Sequence, residues 1–203
     1  MLIGARTAAW SGGKALPYDA EVDYIASDGK SYINTGIVPV LSSTIECSFK
    51  VLRGRPDVVF SGISKNGIGI TNWSSGGLAC YFGNVGYIPS SGVIPIGVGT
   101  AYNLIIDSQY LRIDSQSIFL GATKMGSSNA MMLLRQTWTA SSGITAISFF
   151  RHSDNNANIT EMIPVRFTNE NGVSEGAMYD RVSGKLFRNA GMGAFVIGPD
   201  KVA

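Results

Sequence analysis

The sequence predicts an all-β protein built as two packed sheets. Three observations carry that prediction. Val, Ile, Tyr, Phe and Thr dominate short apolar runs, and Gly, Ser, Asn and Asp bound them. No segment keeps a 3.6-residue period over three turns. Glycine is abundant at 25 residues while charged residues make up 15% of the chain, which favours tight turns over helices laced with ion pairs. Many short strands at close spacing are stable as a sandwich or barrel, and two packed sheets is the solution expected here. A chain of 203 residues is long enough for one such domain with a sizeable core.

Residues 1–20 differ from the rest. ARTAAWSGGKALPYDA has small residues, a glycine pair and a proline, and reads as an extended arm. Leu2, Ile3 and Trp10 are too apolar for a purely solvated tail, so the arm is expected to dock, on the domain itself or on a partner, with a partner as the leading expectation; the competing reading is a frayed terminus. From Glu21 to residue 203 the chain reads as one sandwich. DYIA leads through an SDGK turn to SYINTGIVPV. TIECSFKVL, DVVFSGI, GIGITNW, LACYFGN and VGYIP follow as strands. NLIIDSQYLRIDSQSIFLG reads as three strands joined by two DSQ turns, with Asp107 and Asp114 as turn caps. MMLLRQ is too short for a helix. ITAISFFRH and TEMIPVRFTN precede a closing ribbon, with turns at ENG (170–172) and VSG (182–184).

Two stretches carry a resemblance. EVDYIASDGKSYINTGIVP (21–39) resembles the opening pattern of lectin-like domains common in phage and prophage proteins of gut bacteria. IPVRFTNENGVSEGAMYDRVSGKLFRNAGMGAFVIGPD (163–200) is similar to that group's closing pattern. The resemblance covers the two ends of the domain; the middle matches only in strand rhythm. It implies a concanavalin A-like (LamG-like) jelly roll whose first and last strands lie close together. In the ribbon, the glycines are expected to serve turns needing a positive φ, and Tyr179, Leu186, Phe187 and Phe195 to fill the core.

Catalytic chemistry finds little support. Glucanases of that architecture use Glu-x-Asp-x-x-Glu on one strand. EVDYIA starts that way with Glu21 and Asp23, but Ala26 stands where the third acid belongs. Asp19, Glu21 and Asp23 are read as a solvated strand face. Nucleophilic catalysis needs a base, and the one histidine, His152, reads as a loop-tip residue with no GxSxG motif elsewhere. Clustered Cys and His for zinc are absent, and DGKS lacks the first glycine of a P-loop. Cys47 and Cys80 lie in apolar strands and read as buried free thiols, with a disulfide as the alternative.

Candidate binding residues remain. HSDNNAN offers Asp154, Asn156 and Asn158 as a candidate calcium loop; the competing reading is a plain turn. Trp73, Tyr87 and Trp138 lie in loop-like settings and could stack on a sugar; each competes with a core or ordinary surface placement. No cofactor other than calcium is suggested. The net charge of +2, with no Lys/Arg run, argues against nucleic acid, and VLRGRP (51–56) reads as a solvated loop. No apolar run reaches the ~18 residues of a membrane span, and the N-terminus lacks the apolar region of a signal peptide.

The leading expectation, resting on the resemblance, is a non-catalytic virion protein made in the host bacterial cytoplasm. It would be a capsid-decorating or fibre-type subunit. Its partners would be other virion proteins, copies of itself, and a host-surface or mucin-type glycan. The alternatives are a glycan-cleaving enzyme of the same fold and a pure assembly protein with no external ligand.

Overall fold

The computed structural model describes residues 15–27, 30–53, 60–62, 68–72, 78–87, 96–126, 129–135 and 144–202. Every regular element among them is a β-strand. In chain order these are β1 (Ala20–Glu21), β2 (Ile25–Ser27), β3 (Ile33–Asn34), β4 (Ser43–Arg53), β5 (Phe60–Gly62) and β6 (Ile68–Asn72). Then come β7 (Leu78–Phe82), β8 (Val85–Tyr87), β9 (Ala101–Ile106), β10 (Tyr110–Ile113), β11 (Gln116–Phe119) and β12 (Met131–Leu133). The last are β13 (Ile144–Asp154), β14 (Ala157–Thr168), β15 (Ser174–Asp180), β16 (Lys185–Phe187) and β17 (Val196–Ile197).

The strands form two antiparallel sheets. The larger has eleven strands along the path β11-β10-β9-β4-β13-β14-β15-β16, with β1, β2 and β17 attached beside it. The smaller has six, in the order β3-β12-β5-β6-β7-β8. β4 shows why its sequence makes a strand. Ser43, Ile45, Cys47, Phe49 and Val51 are buried, and the residues between them are half-buried, the period-2 pattern of a sheet with one face on a core. One buried cluster draws on both sheets: Phe49, Leu104 and Phe150 from the larger meet Ile70, Phe82 and Leu133 from the smaller. Cys47 and Cys80 are both buried in it and form no disulfide, and burial pushes the Cys47 thiol up.

β13 keeps its core face through a bulge. Its pairing with β4 slips between Ile147 and Phe149, so Ser148 is the extra residue. That slip lets Ile147 and Phe150, three apart, both face the core.

β13 and β14 form a hairpin that opens away from its tip. Beyond the Phe150–Met162 pair they part, and the chain's first described strands fill the gap. β1 pairs with β14, and β2 pairs with β13. β17 then pairs with the other side of β2, and an isolated bridge joins Val22 to Asp200, so the two ends of the described chain are neighbours. The division of arm from domain at residue 20 therefore falls inside β1. Asp19 already donates its N–H to Arg166 O at 2.8 Å. Tyr18 packs on Tyr179 with ring centroids 5.0 Å apart, against a second apolar cluster of Ile163, Val165 and Phe167.

The two DSQ segments turn as expected. Asp107 Oδ1 accepts the N–H of Gln109 and Tyr110, as a turn cap does. Asp114 sits at φ 49° between β10 and β11, but its Oδ1 accepts the Asn103 N–H of β9 at 3.0 Å instead of capping its own turn. The ribbon glycines divide into two kinds. Gly184 and Gly193 have positive φ, as turns require. Gly191 does not: a Cβ there would lie 2.1 Å from Lys30 O, so it is a place where two backbones touch. Phe195 is buried as expected, while Tyr179, Leu186 and Phe187 are half-buried.

Candidate functional site

The outer face of the large sheet carries a row of alternating charge. Ile105, Glu46, Arg151 and Glu161 lie opposite one another on β9, β4, β13 and β14. Arg151 bridges its neighbours, with Nη1 3.2 Å from Glu46 Oε2 and Nη2 2.9 Å from Glu161 Oε2. Arg181, just past β15, reaches Glu161 Oε1 at 3.6 Å and Glu21 Oε1 at 3.0 Å. Tyr18 OH donates to Glu21 Oε1 at 3.4 Å. The hydrogen bonds from Arg151 hold Glu161 below the usual carboxylate range. Burial, and then the Glu21 carboxylate, push Tyr18 up.

At the β9–β11 end of this face stands an aromatic pair. Tyr110 and Phe119 lie opposite each other with centroids 5.5 Å apart, edge to face. Arg112 sits over the Tyr110 ring at 4.9 Å, and its Nη1 meets Asp107 Oδ2 at 2.9 Å.

His152 is not at a loop tip. It lies on β13, buried, with Nε2 2.9 Å from Ser43 Oγ, and Nδ1 has no hydrogen-bond partner among the described residues. The apolar run ITAISFF continues the strand through it, so period-2 alternation turns its ring to the core side. Burial lowers its pKa and the Asp154 carboxylate opposes the shift. Ser43 Oγ also accepts the Val40 N–H at 2.9 Å. No carboxylate hydrogen bond to the ring is present among the described residues, so the pair lacks the orienting acid of a triad.

The candidate calcium residues sit on the β13–β14 hairpin. Asn155 and Asn156 adopt φ 47° and 64°, the left-handed pair of a tight two-residue turn. Asp154 accepts the Ser42 hydroxyl, and Asn158 is paired with Ser153 in the sheet. No cluster of three or more His, Cys, Asp or Glu suited to a metal occurs among the described residues. Trp73, Trp138, Leu2, Ile3 and Trp10 lie outside the described residues. Tyr87 ends β8 opposite Cys80, and its side chain is likewise outside the description. VLRGRP is described only as far as Arg53.

Asp19, Glu21 and Asp23 were expected as a solvated face. Asp19 and Asp23 are exposed and Glu21 is half-buried; Thr168 hydrogen-bonds Asp19, and Arg181 pairs with Glu21. The charge row was not anticipated, because its members are far apart in sequence and only strand register joins them. Among the described residues no helix is long and apolar enough to cross a membrane. Compared with family models, curated proteins and solved structures, the chain matches none of them.

Proposed function

We propose that the chain is a non-catalytic structural subunit of a phage particle. It is a concanavalin A-like jelly-roll sandwich, of capsid-decorating or fibre type, that contacts a neighbouring particle protein or a surface glycan. The charge row is the observation that carries the non-catalytic reading. Glycoside hydrolysis needs one carboxyl kept protonated beside an ionised one. Arg151 stands between Glu46 and Glu161 and pulls the Glu161 pKa down, the reverse of what an acid catalyst needs. The core shared by the two sheets supports the sandwich, and the pairing of β2 with β17 supports jelly-roll closure. The particle assignment draws its support from the two resembling stretches, which meet where Tyr32 contacts Asn189.

Mass spectrometry of purified particles, paired with a glycan panel, tests both halves. The chain is expected in the particle, and glycans are expected to be bound or ignored but not cleaved. Its absence from particles would remove the particle assignment. Turnover abolished by Glu46→Gln or Glu161→Gln would make it an enzyme.

A further inference from the structure

We propose that β11 pairs edge to edge with β11 of a second copy, joining two large sheets across a two-fold axis at Ile118. The strand ends the sheet path, and the opposite end is β16. The two edges differ in chemistry. β16 reads KLF, with an exposed Lys185 and with Arg188 following, the kind of charge that discourages edge pairing. β11 reads QSIF, with no charge and no proline.

Strand phase shows which groups of β11 are on offer. Leu120 donates its N–H to Gln109 O at 2.7 Å, so 109 and 120 are a hydrogen-bonded pair. Bonded and non-bonded pairs alternate in an antiparallel ladder. Continuing the register makes 111–118 and 113–116 the bonded pairs with β10. Ser117 and Phe119 therefore turn their N–H and C=O groups away from β10. Both residues are exposed, Phe119 by 66%.

The Phe119 ring is held in that exposed position. It leans on Tyr110, and it lies so close to Gly121 that a Cβ there would meet it at 2.9 Å. A large apolar ring fixed beside an uncharged edge, unpaired among the described residues, is poorly suited to water and well suited to burial.

A second copy fits this edge. Antiparallel self-pairing about Ile118 sets Ser117 of one copy opposite Phe119 of the other, twice, closing four backbone hydrogen bonds. Each ring then lies beside a small serine, with Arg112 of the second copy on the next strand. No like charges meet along either β11. The contact is isologous, so it closes at two copies, whereas β11 on β16 would be head to tail, would meet Lys185 and would propagate. The pairing needs no particle, so it stands or falls apart from the assignment above.

Light scattering on the full chain is expected to give twice the chain mass. Phe119→Lys with Ser117→Lys should halve that mass. Hydrogen exchange on the wild type gives a second reading that needs no variant. The Ser117 and Phe119 amides should be protected at high concentration and lose protection on dilution. A wild-type monomer whose two amides exchange as unpaired groups overturns the proposal. So does a dimer in which they stay unprotected, because another surface then makes the contact.

Discussion

Tyr32 donates its N–H to Asn189 Oδ1 at 3.1 Å, across 157 residues of chain. The same oxygen accepts the Gly191 N–H at 2.9 Å, and Asn189 Nδ2 donates to Gly193 O at 2.8 Å. Ala190 N–H returns to Tyr32 O at 2.8 Å. One asparagine thus shapes the closing ribbon and ties it to the segment leading into β3.

Gly191 should tolerate no side chain. The added methyl of Gly191→Ala would lie 2.1 Å from Lys30 O and 2.7 Å from the Tyr32 ring. Backbone on one side and a ring on the other leave little room to shift. Overpacking of this kind costs about 1–3 kcal/mol. For a chain of this size that lowers the melting temperature by roughly 2–4 °C per kcal/mol. A thermal melt indistinguishable from wild type would show that the contact yields freely.

Acid stability should depend on Arg151. The folded pKa of Glu161 lies below its ordinary value of 4.5 because Arg151 hydrogen-bonds its carboxylate. A depressed carboxylate contributes stability that is fully present above the ordinary value. The contribution is lost as pH falls through the folded value. Arg151→Met should therefore cost about 0.5–1 kcal/mol at neutral pH, given the part-exposed side chains, and flatten the acid limb. Urea unfolding of both proteins across that limb reads the effect. Parallel curves would mean that the bridge does not couple to folding.

What the sequence made legible here was local. The DSQ turns could be read because Asp107 caps its own neighbours two and three residues on. The alternation in TIECSFKV was equally plain. The wedge of β1 and β2 between parted strands could not be read, because the opening of β13 from β14 depends on long-range pairing. The place of His152 is hidden because the polar cluster after it resembles a loop, although the strand runs on to Asp154. The close approach at Gly191 is not legible either, because a glycine needed for φ and one needed for close approach look alike in sequence. The charge row stayed hidden for the same reason as the wedge: Glu46 and Glu161 meet through Arg151 only once β4, β13 and β14 are in register.

A second pH effect should appear nearer neutrality. Burial lowers the His152 pKa from its ordinary 6.5, with Asp154 opposing. The unfolded chain then binds the proton more readily than the folded one. Stability from this residue is complete above the ordinary value and declines as pH drops through it, until the folded value is reached. Ser43 and Thr160 face the ring from β4 and β14 and carry no charge. His152→Gln removes the titration and keeps a polar group near Ser43. As pH falls through 6.5 the wild type should lose stability with acid more steeply than the variant. Equal slopes for the two proteins would place the titration elsewhere.

The last prediction separates the two parts of the N-terminal segment. Tyr18, Asp19 and Ala20 fall within the span that composition marks as an arm, yet they are bound to the sheet. Tyr18 lies on Tyr179 and reaches Glu21, Asp19 bonds to Arg166 O and to the Thr168 hydroxyl, and Ala20 pairs with Arg166. A chain starting at residue 21 loses the ring pair and both Asp19 bonds. It also leaves Ile163, Val165 and Phe167 less covered on the outer face. A chain starting at residue 15 keeps all of them. Hydrogen bonds of this kind contribute about 0.5–1.5 kcal/mol each and an aromatic pair a similar amount. The shorter protein should therefore unfold at a clearly lower temperature than the one starting at residue 15, while both remain cooperative. Equal melting temperatures would mean that residues 18–20 rest on the sheet without stabilising it, and the boundary would return to residue 20.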